Sequence, residues 1–337
     1  MINCIYQLVA PKVFSIKYSD INFENNVIIR PRYMSICHAD QRYYLGMREP
    51  NILKSKLPMA LIHECCGVVV CDNTGSFNVG QTVVLIPNVP GTNRNGIFEN
   101  YSEGSKFLSS GYDGFMKEFV SITPDRVVPF GEINEKVASI CEFVSVGVHG
   151  VKRFCECKNS YHDVITVWGD GSLSYVVCCI LKRKFKSSKI VVVGRSWSKL
   201  SQFSFVDKTY ICNDLPDNFR TDHAFECAGG NGSYYAIDDI IKYIRPQGTV
   251  VLMGVSENKV PINTRNVLEK GLTLIGCSRS GREDFVEAIS LIKNKEVEKR
   301  LAAILFEDLP VCSISDIHRA FLTDYSMPFK TIFEWKI

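Results

Sequence analysis

The chain has 337 residues, a length that suits two domains, and a hydrophobic fraction of 46%, which is that of a globular enzyme with sizeable cores. A formal net charge of +3 is too near balance to suggest a nucleic-acid partner, and no apolar run reaches the length of a membrane span. The N-terminus, Met1-Ile2-Asn3-Cys4-Ile5, lacks a basic region followed by a long apolar core, so no secretion signal is expected and the predicted location is cytoplasmic.

Residues 1–145 are rich in short strands and turns. The stretch 27–37 reads as an extended segment entering a loop, and 66–70 and 81–87 are β-branched runs broken by Gly and Pro. From about 163 the pattern changes to strands alternating with helices. Strands are predicted at 163–169, 189–193, 208–212, 222–228, 248–254 and 271–276, the pattern of a doubly wound parallel sheet. The tail, 331–335, is strand-like again and is expected to return to the first domain. The predicted class is therefore α/β. A strand-rich domain is expected over 1–145 with 285–337, and a doubly wound domain of the Rossmann type over 146–284. The 14 cysteines sit mostly inside apolar runs and are expected to be reduced, small core residues.

The segment Gly169-Asp170-Gly171-Ser172-Leu173-Ser174 follows one predicted strand and opens a helix, the context a dinucleotide loop requires. Gly169 allows the tight turn. Gly171 lets the backbone approach a pyrophosphate at the positive end of the helix, beside Ser172 and Leu173. An NAD-binding unit carries an Asp or Glu about 20 residues past this loop. Here Gly194-Arg195-Ser196 stands in that place, with Lys199 close behind. No carboxylate repels a 2′-phosphate, and Arg195 can pair with one bidentately, so NADPH is predicted over NADH.

Cys37, His63-Glu64 and Glu142 lie in the first domain at the ends of apolar stretches. A thiolate, an imidazole and carboxylates suit a tetrahedral zinc with an exchangeable position, although spacing alone does not select these four from the other Cys, His and Glu residues.

The order Cys37, then Leu61-Ile62-His63-Glu64-Cys65-Cys66-Gly67, then the glycine loop, resembles the zinc-dependent medium-chain alcohol and polyol dehydrogenases. So does the segment 110–120. The resemblance implies a GroES-like catalytic domain, catalytic zinc on Cys37, His63 and Glu142, and Glu64 as a ligand or exchanging neighbour. The segments 37–44, 56–59 and 268–281 are similar to ribulose-5-phosphate reductases. That likeness implies NADPH-dependent reduction of D-ribulose 5-phosphate to D-ribitol 5-phosphate for CDP-ribitol synthesis, and so for teichoic acid or capsule. It also implies a homodimer and a ribitol-5-phosphate cytidylyltransferase as partner.

Two departures from the wider family matter. Residues 88–115 contain no cysteine, so one zinc is expected rather than two. The Ser or Thr that commonly relays a proton two residues after the Cys is Ala39, which leaves Asp40 and Tyr43 as candidates to order a water or donate. Arg42 and Arg279 are the first candidates for a substrate phosphate. The rival readings are a zinc dehydrogenase of another polyol or alcohol, and a non-catalytic NADPH-binding sensor.

Overall fold

The computed structural model describes residues 1–92 and 94–337. The chain divides into two compact units, Met1–Ser145 with Arg279–Ile337, and Val146–Ser278. The first unit begins with strands β1 (Ile2–Ala10), β2 (Val13–Asp20) and β3 (Val27–Ser35). Helices α1 (His38–Tyr44) and α2 (Pro50–Lys56) follow, then β4 (Met59–Ala60), β5 (Glu64–Asp72), β6 (Thr82–Leu85), β7 (Asn88–Val89) and β8 (Lys106–Phe107). Next come β9 (Val120–Ile122), β10 (Val127–Pro129) and α3 (Glu135–Ala138), and helix α4 (Cys141–Cys157) then carries the chain into the second unit.

The second unit alternates β11 (Val164–Trp168), α5 (Ser172–Lys184), β12 (Lys189–Gly194), α6 (Trp197–Leu200), β13 (Lys208–Ile211), β14 (His223–Glu226), α7 (Gly232–Tyr243), β15 (Thr249–Leu252), α8 (Thr264–Lys270) and β16 (Thr273–Gly276). Its strands run in the order β13-β12-β11-β14-β15-β16, and every neighbouring pair is parallel. All six predicted strands are present. The central strands β11 and β12 read as apolar runs because a parallel sheet covered on both faces buries both sides of them. The strand order reverses between β11 and β14, and a crevice at such a point holds the ligand in sheets of this type.

The chain closes in the first unit with α9 (Arg282–Ile292), α10 (Lys295–Ala302), β17 (Leu305–Glu307), α11 (Ile314–Ser326) and β18 (Lys330–Glu334). This unit resumes at Arg279, ahead of the expected 285. The physical cause is the start of α9. Arg282 donates its backbone N–H to Glu99 Oε1 (2.6 Å) and its guanidinium to the carbonyls of Asp125 and Val127.

One sheet of the first unit runs β10-β6-β5-β3-β18-β17, with β9 also on β3. Its register builds the site. Antiparallel pairing sets Ser35, at the end of β3, opposite Glu64 at the start of β5, and opposite Ile332 of β18. Ile36 then donates to the Thr331 carbonyl at 3.1 Å. Three strand ends far apart in sequence therefore meet where Cys37 leaves the sheet. Among the described residues no helix is long and apolar enough to cross a membrane.

Candidate metal centre and cofactor loop

Cys37 is the residue that caps the N-terminus of α1, in an extended conformation (φ −92°). Its backbone N–H donates to Asp40 Oδ2 at 3.3 Å, an acid three residues into the helix, in the manner of a capping box. Across the sheet, Ile62 has φ +67°, a left-handed conformation that costs a β-branched residue about 1–3 kcal/mol. The neighbouring segment over-determines it. Gly114 and Phe115 donate to the carbonyls of Ala60 and Ile62 (2.8 and 2.7 Å). A Cβ on Gly114 would lie 2.4 Å from the Ile62 carbonyl oxygen, so only glycine permits this approach. The turn delivers His63 and Glu64, both buried, to the end of α1.

A ligating atom from each of Cys37, His63 and Glu64 lies within 4.8 Å of the other two. The donor set is one soft thiol, one imidazole and one carboxylate, which suits zinc. Glu64 Oε1 accepts from Lys330 Nζ at 2.6 Å, whereas the buried Oε2 has no hydrogen-bond partner. An orphaned carboxylate oxygen beside a thiol and an imidazole is costly unless a cation takes it, so the residues fit the metal.

Of the four predicted ligands, the structure brings three together. Glu142, in the first turn of α4, is buried but outside that trio. Burial first, and then the carboxylates of Glu64 and Asp40, push its acid up to about 7, against the opposing pull of His63 and Lys330. Glu142 therefore shares the electrostatic field of the site.

Asp40 is placed differently from the expectation that it donates a proton or orders a water. It is 0% exposed, behind the imidazole. Its Oδ1 accepts from Ile62 N–H (3.1 Å) and Ser109 Oγ (3.0 Å), and Oδ2 faces His63 Nδ1 at 3.4 Å. Ser109 Oγ is also 2.7 Å from His63 Nδ1. With Nδ1 held on this side, Nε2 is left for the thiol side, the arrangement by which outer partners orient a ligating histidine. Burial works against an imidazolium here, but Asp40 and Cys37 outweigh it and raise the His63 pKa well above its ordinary value. Tyr43 is likewise buried in the core, with the Arg48 guanidinium 4.8 Å from its ring centroid.

The predicted phosphate contacts are basic groups of the same unit. Arg279 has φ +58°, and its guanidinium sits 5.0 Å from the Phe107 ring centroid. Phe107 in turn packs edge-on against His63 at 5.2 Å. Burial alone lowers the Arg279 pKa, and no carboxylate pairs with this side chain among the described residues. Arg42 lies in the last turn of α1. Partial burial, followed by the charges of Arg42, Arg48 and Lys330, lowers the pKa of His38 on the same helix.

In the second unit the glycine loop has the predicted form. Gly169 has φ +126°, and a Cβ there would lie 2.8 Å from the Cys227 carbonyl oxygen. Gly171 caps α5, ahead of Ser172 and Leu173, and has nothing within 4 Å of the place where a Cβ would stand. That open space at a helix N-terminus suits a pyrophosphate. Arg195 is exposed, Ser196 caps α6, and Lys199 lies within α6, all just past the end of β12.

Residues 24–132 match the alcohol dehydrogenase GroES-like domain, and 187–294 match the zinc-binding dehydrogenase family. The chain is 53% identical over 340 residues to ribulose-5-phosphate reductase of Streptococcus pneumoniae, covering 100% of this chain and 98% of the relative. It is 46% identical over 339 residues to ribulose-5-phosphate reductase 1 of Staphylococcus aureus, covering 99% of each. The crystal structure of S. aureus TarJ in complex with NADPH superimposes with a TM-score of 0.89 at 42% identity, over 100% of both chains.

Proposed function

Because this chain belongs to the zinc-dependent medium-chain dehydrogenase family, with ribulose-5-phosphate reductases as full-length relatives, we propose that it reduces D-ribulose 5-phosphate to D-ribitol 5-phosphate with NADPH. The observation that carries this reading is the convergence of Cys37, His63 and Glu64, with the carboxylate-free Arg279 stacked on the ring that touches His63. When bound, zinc supplies Lewis-acid polarisation of the C2 carbonyl and NADPH supplies the hydride to C2.

The chain's own residues do the rest. Cys37, His63 and a carboxylate, Glu64 or Glu142, hold the metal. Asp40 and Ser109 fix the imidazole. Arg279 and Arg42 receive the phosphate, so that binding energy remote from the reacting carbon orients C2. With Ala39 at the family's relay position and Asp40 buried, the proton for the C2 oxygen comes from water. Gly169, Gly171, Ser172 and Leu173 cradle the pyrophosphate, and Arg195, Ser196 and Lys199 hold the 2′-phosphate.

The same reading places the enzyme in the cytoplasm, ahead of a ribitol-5-phosphate cytidylyltransferase in teichoic acid or capsule synthesis. The assembly is a homodimer. Support for a dimer is the edge strand β16, whose Thr273 and Gly276 are exposed.

The test is NADPH oxidation with D-ribulose 5-phosphate, D-xylulose 5-phosphate and D-ribulose. D-ribulose 5-phosphate should have the highest kcat/KM, and Arg279→Ala should remove most of its advantage over D-ribulose. Similar efficiency with and without phosphate would replace this reading with a general polyol dehydrogenase.

A further inference from the structure

The glycine loop contains an acid that the dinucleotide pattern does not call for. Asp170 Oδ2 accepts two backbone N–H groups, those of Arg195 and Ser196, each at 2.7 Å. These are the residues just past β12, where a 2′-phosphate is read. The contact needs a glycine beneath it, because a Cβ on Gly194 would lie 2.6 Å from Asp170 Cβ. Two consecutive N–H groups aimed at one oxygen form a small anion nest, and here the protein fills that nest itself. The Asp170 charge is thereby spent on backbone, and the turn is fixed before any cofactor arrives. Ser196 Oγ is 2.8 Å from Ser198 Oγ on the far side of the same turn.

We infer that Asp170 is a positioning residue for NADP(H) selectivity. It clamps the turn 194–196 so that the side chains of Arg195 and Ser196, rather than their backbone, meet the ribose 2′-phosphate. This rests on the NADPH reading given above. The opposing possibility is chemically distinct: a carboxylate transplanted from the end of β12 into the loop could itself accept the ribose hydroxyls and favour NADH.

The experiment measures Kd for NADPH and NADH by nicotinamide fluorescence in the full-length protein, alongside thermal unfolding. The proteins compared are the wild type, Asp170→Ala, Asp170→Asn and, as the benchmark for a lost phosphate contact, Arg195→Ala. The wild type should bind NADPH more tightly. Asp170→Ala should weaken NADPH about tenfold and NADH much less, so that selectivity falls towards that of Arg195→Ala. Asp170→Asn, which keeps an acceptor oxygen, should recover most of the selectivity. Equal weakening of both cofactors in Asp170→Ala would overturn the inference, as would NADH weakening selectively in Asp170→Asn. A wild type without preference would overturn the cofactor reading and this inference with it, whereas a selective wild type with a selective Asp170→Ala variant would overturn this inference alone.

Discussion

Lys330 Nζ lies 2.6 Å from Glu64 Oε1, and both side chains are buried. The ammonium also donates to the Ile36 carbonyl at 2.8 Å and sits 4.7 Å from the Phe143 ring centroid. Burial works against its charge, but Glu64 and Cys37 outweigh burial and raise its pKa. One carboxylate oxygen is thus committed to protein, and the other is buried without a hydrogen-bond partner. Lys330→Met should cost about 3–5 kcal/mol, because it strands a buried carboxylate. The double change with Glu64→Gln should cost clearly less than the sum of the single changes in urea unfolding. Additive costs would show that the two charges are not coupled.

Asp40→Asn should weaken zinc binding about 10–100-fold by freeing the His63 ring, while leaving most of the fold intact. Competition against a chromogenic chelator measures this directly, apart from turnover. An unchanged affinity would remove Asp40 from the support of the metal centre.

The lobe 88–115, which has no cysteine, is tied by a bidentate ion pair. Arg126 donates to Glu99 at 2.8 and 3.2 Å and to the Asn88 carbonyl at 3.1 Å. Arg126→Met should cost about 3 kcal/mol and open the lobe to limited proteolysis before the rest of the chain unfolds. Chelator treatment of the unmodified protein should not produce the same cleavage. Cleavage on chelation would mean that a metal, not this pair, holds the lobe.

Stability should fall on acidification in a way that His223 controls. The ring is fully buried and its pKa is lowered, by burial above all. Nδ1 accepts from Thr249 N–H at 3.0 Å, so Nε2 carries the proton and donates to the Tyr161 carbonyl at 2.6 Å. A histidine kept neutral in the fold contributes stability that is complete above its unfolded pKa of about 6.5 and is lost as pH falls through the lower folded value. Thermal midpoints measured from about pH 8 down to about pH 5 should therefore drop less steeply for His223→Gln than for the unmodified chain. Parallel curves would rule this histidine out as the cause.

The sequence alone determined the parallel sheet and the glycine loop, because both are local patterns. A strand buried on two faces must be apolar throughout, as Val164–Trp168 and Lys189–Gly194 largely are, and a pyrophosphate turn needs its glycines at fixed offsets. Cys37 and His63-Glu64 were legible as chemical types through family resemblance, but spacing did not select them. Only the tertiary structure decided which of them converge, because the β3–β5 and β3–β18 registers bring three separate strand ends to one point. It also moved Asp40 from a candidate donor to the support of His63, since burial and hydrogen-bond partners are properties of the packed chain. Lys330 went unread as part of the site. A lysine opening the apolar strand Lys330–Glu334 was the one local sign of it, and its partner Glu64 lies far away in sequence, where no local pattern can pair them. Asp170 was visible only as the variable residue of the glycine loop. Its clamp on Arg195 and Ser196 exists because parallel pairing lays β11 and β12 side by side.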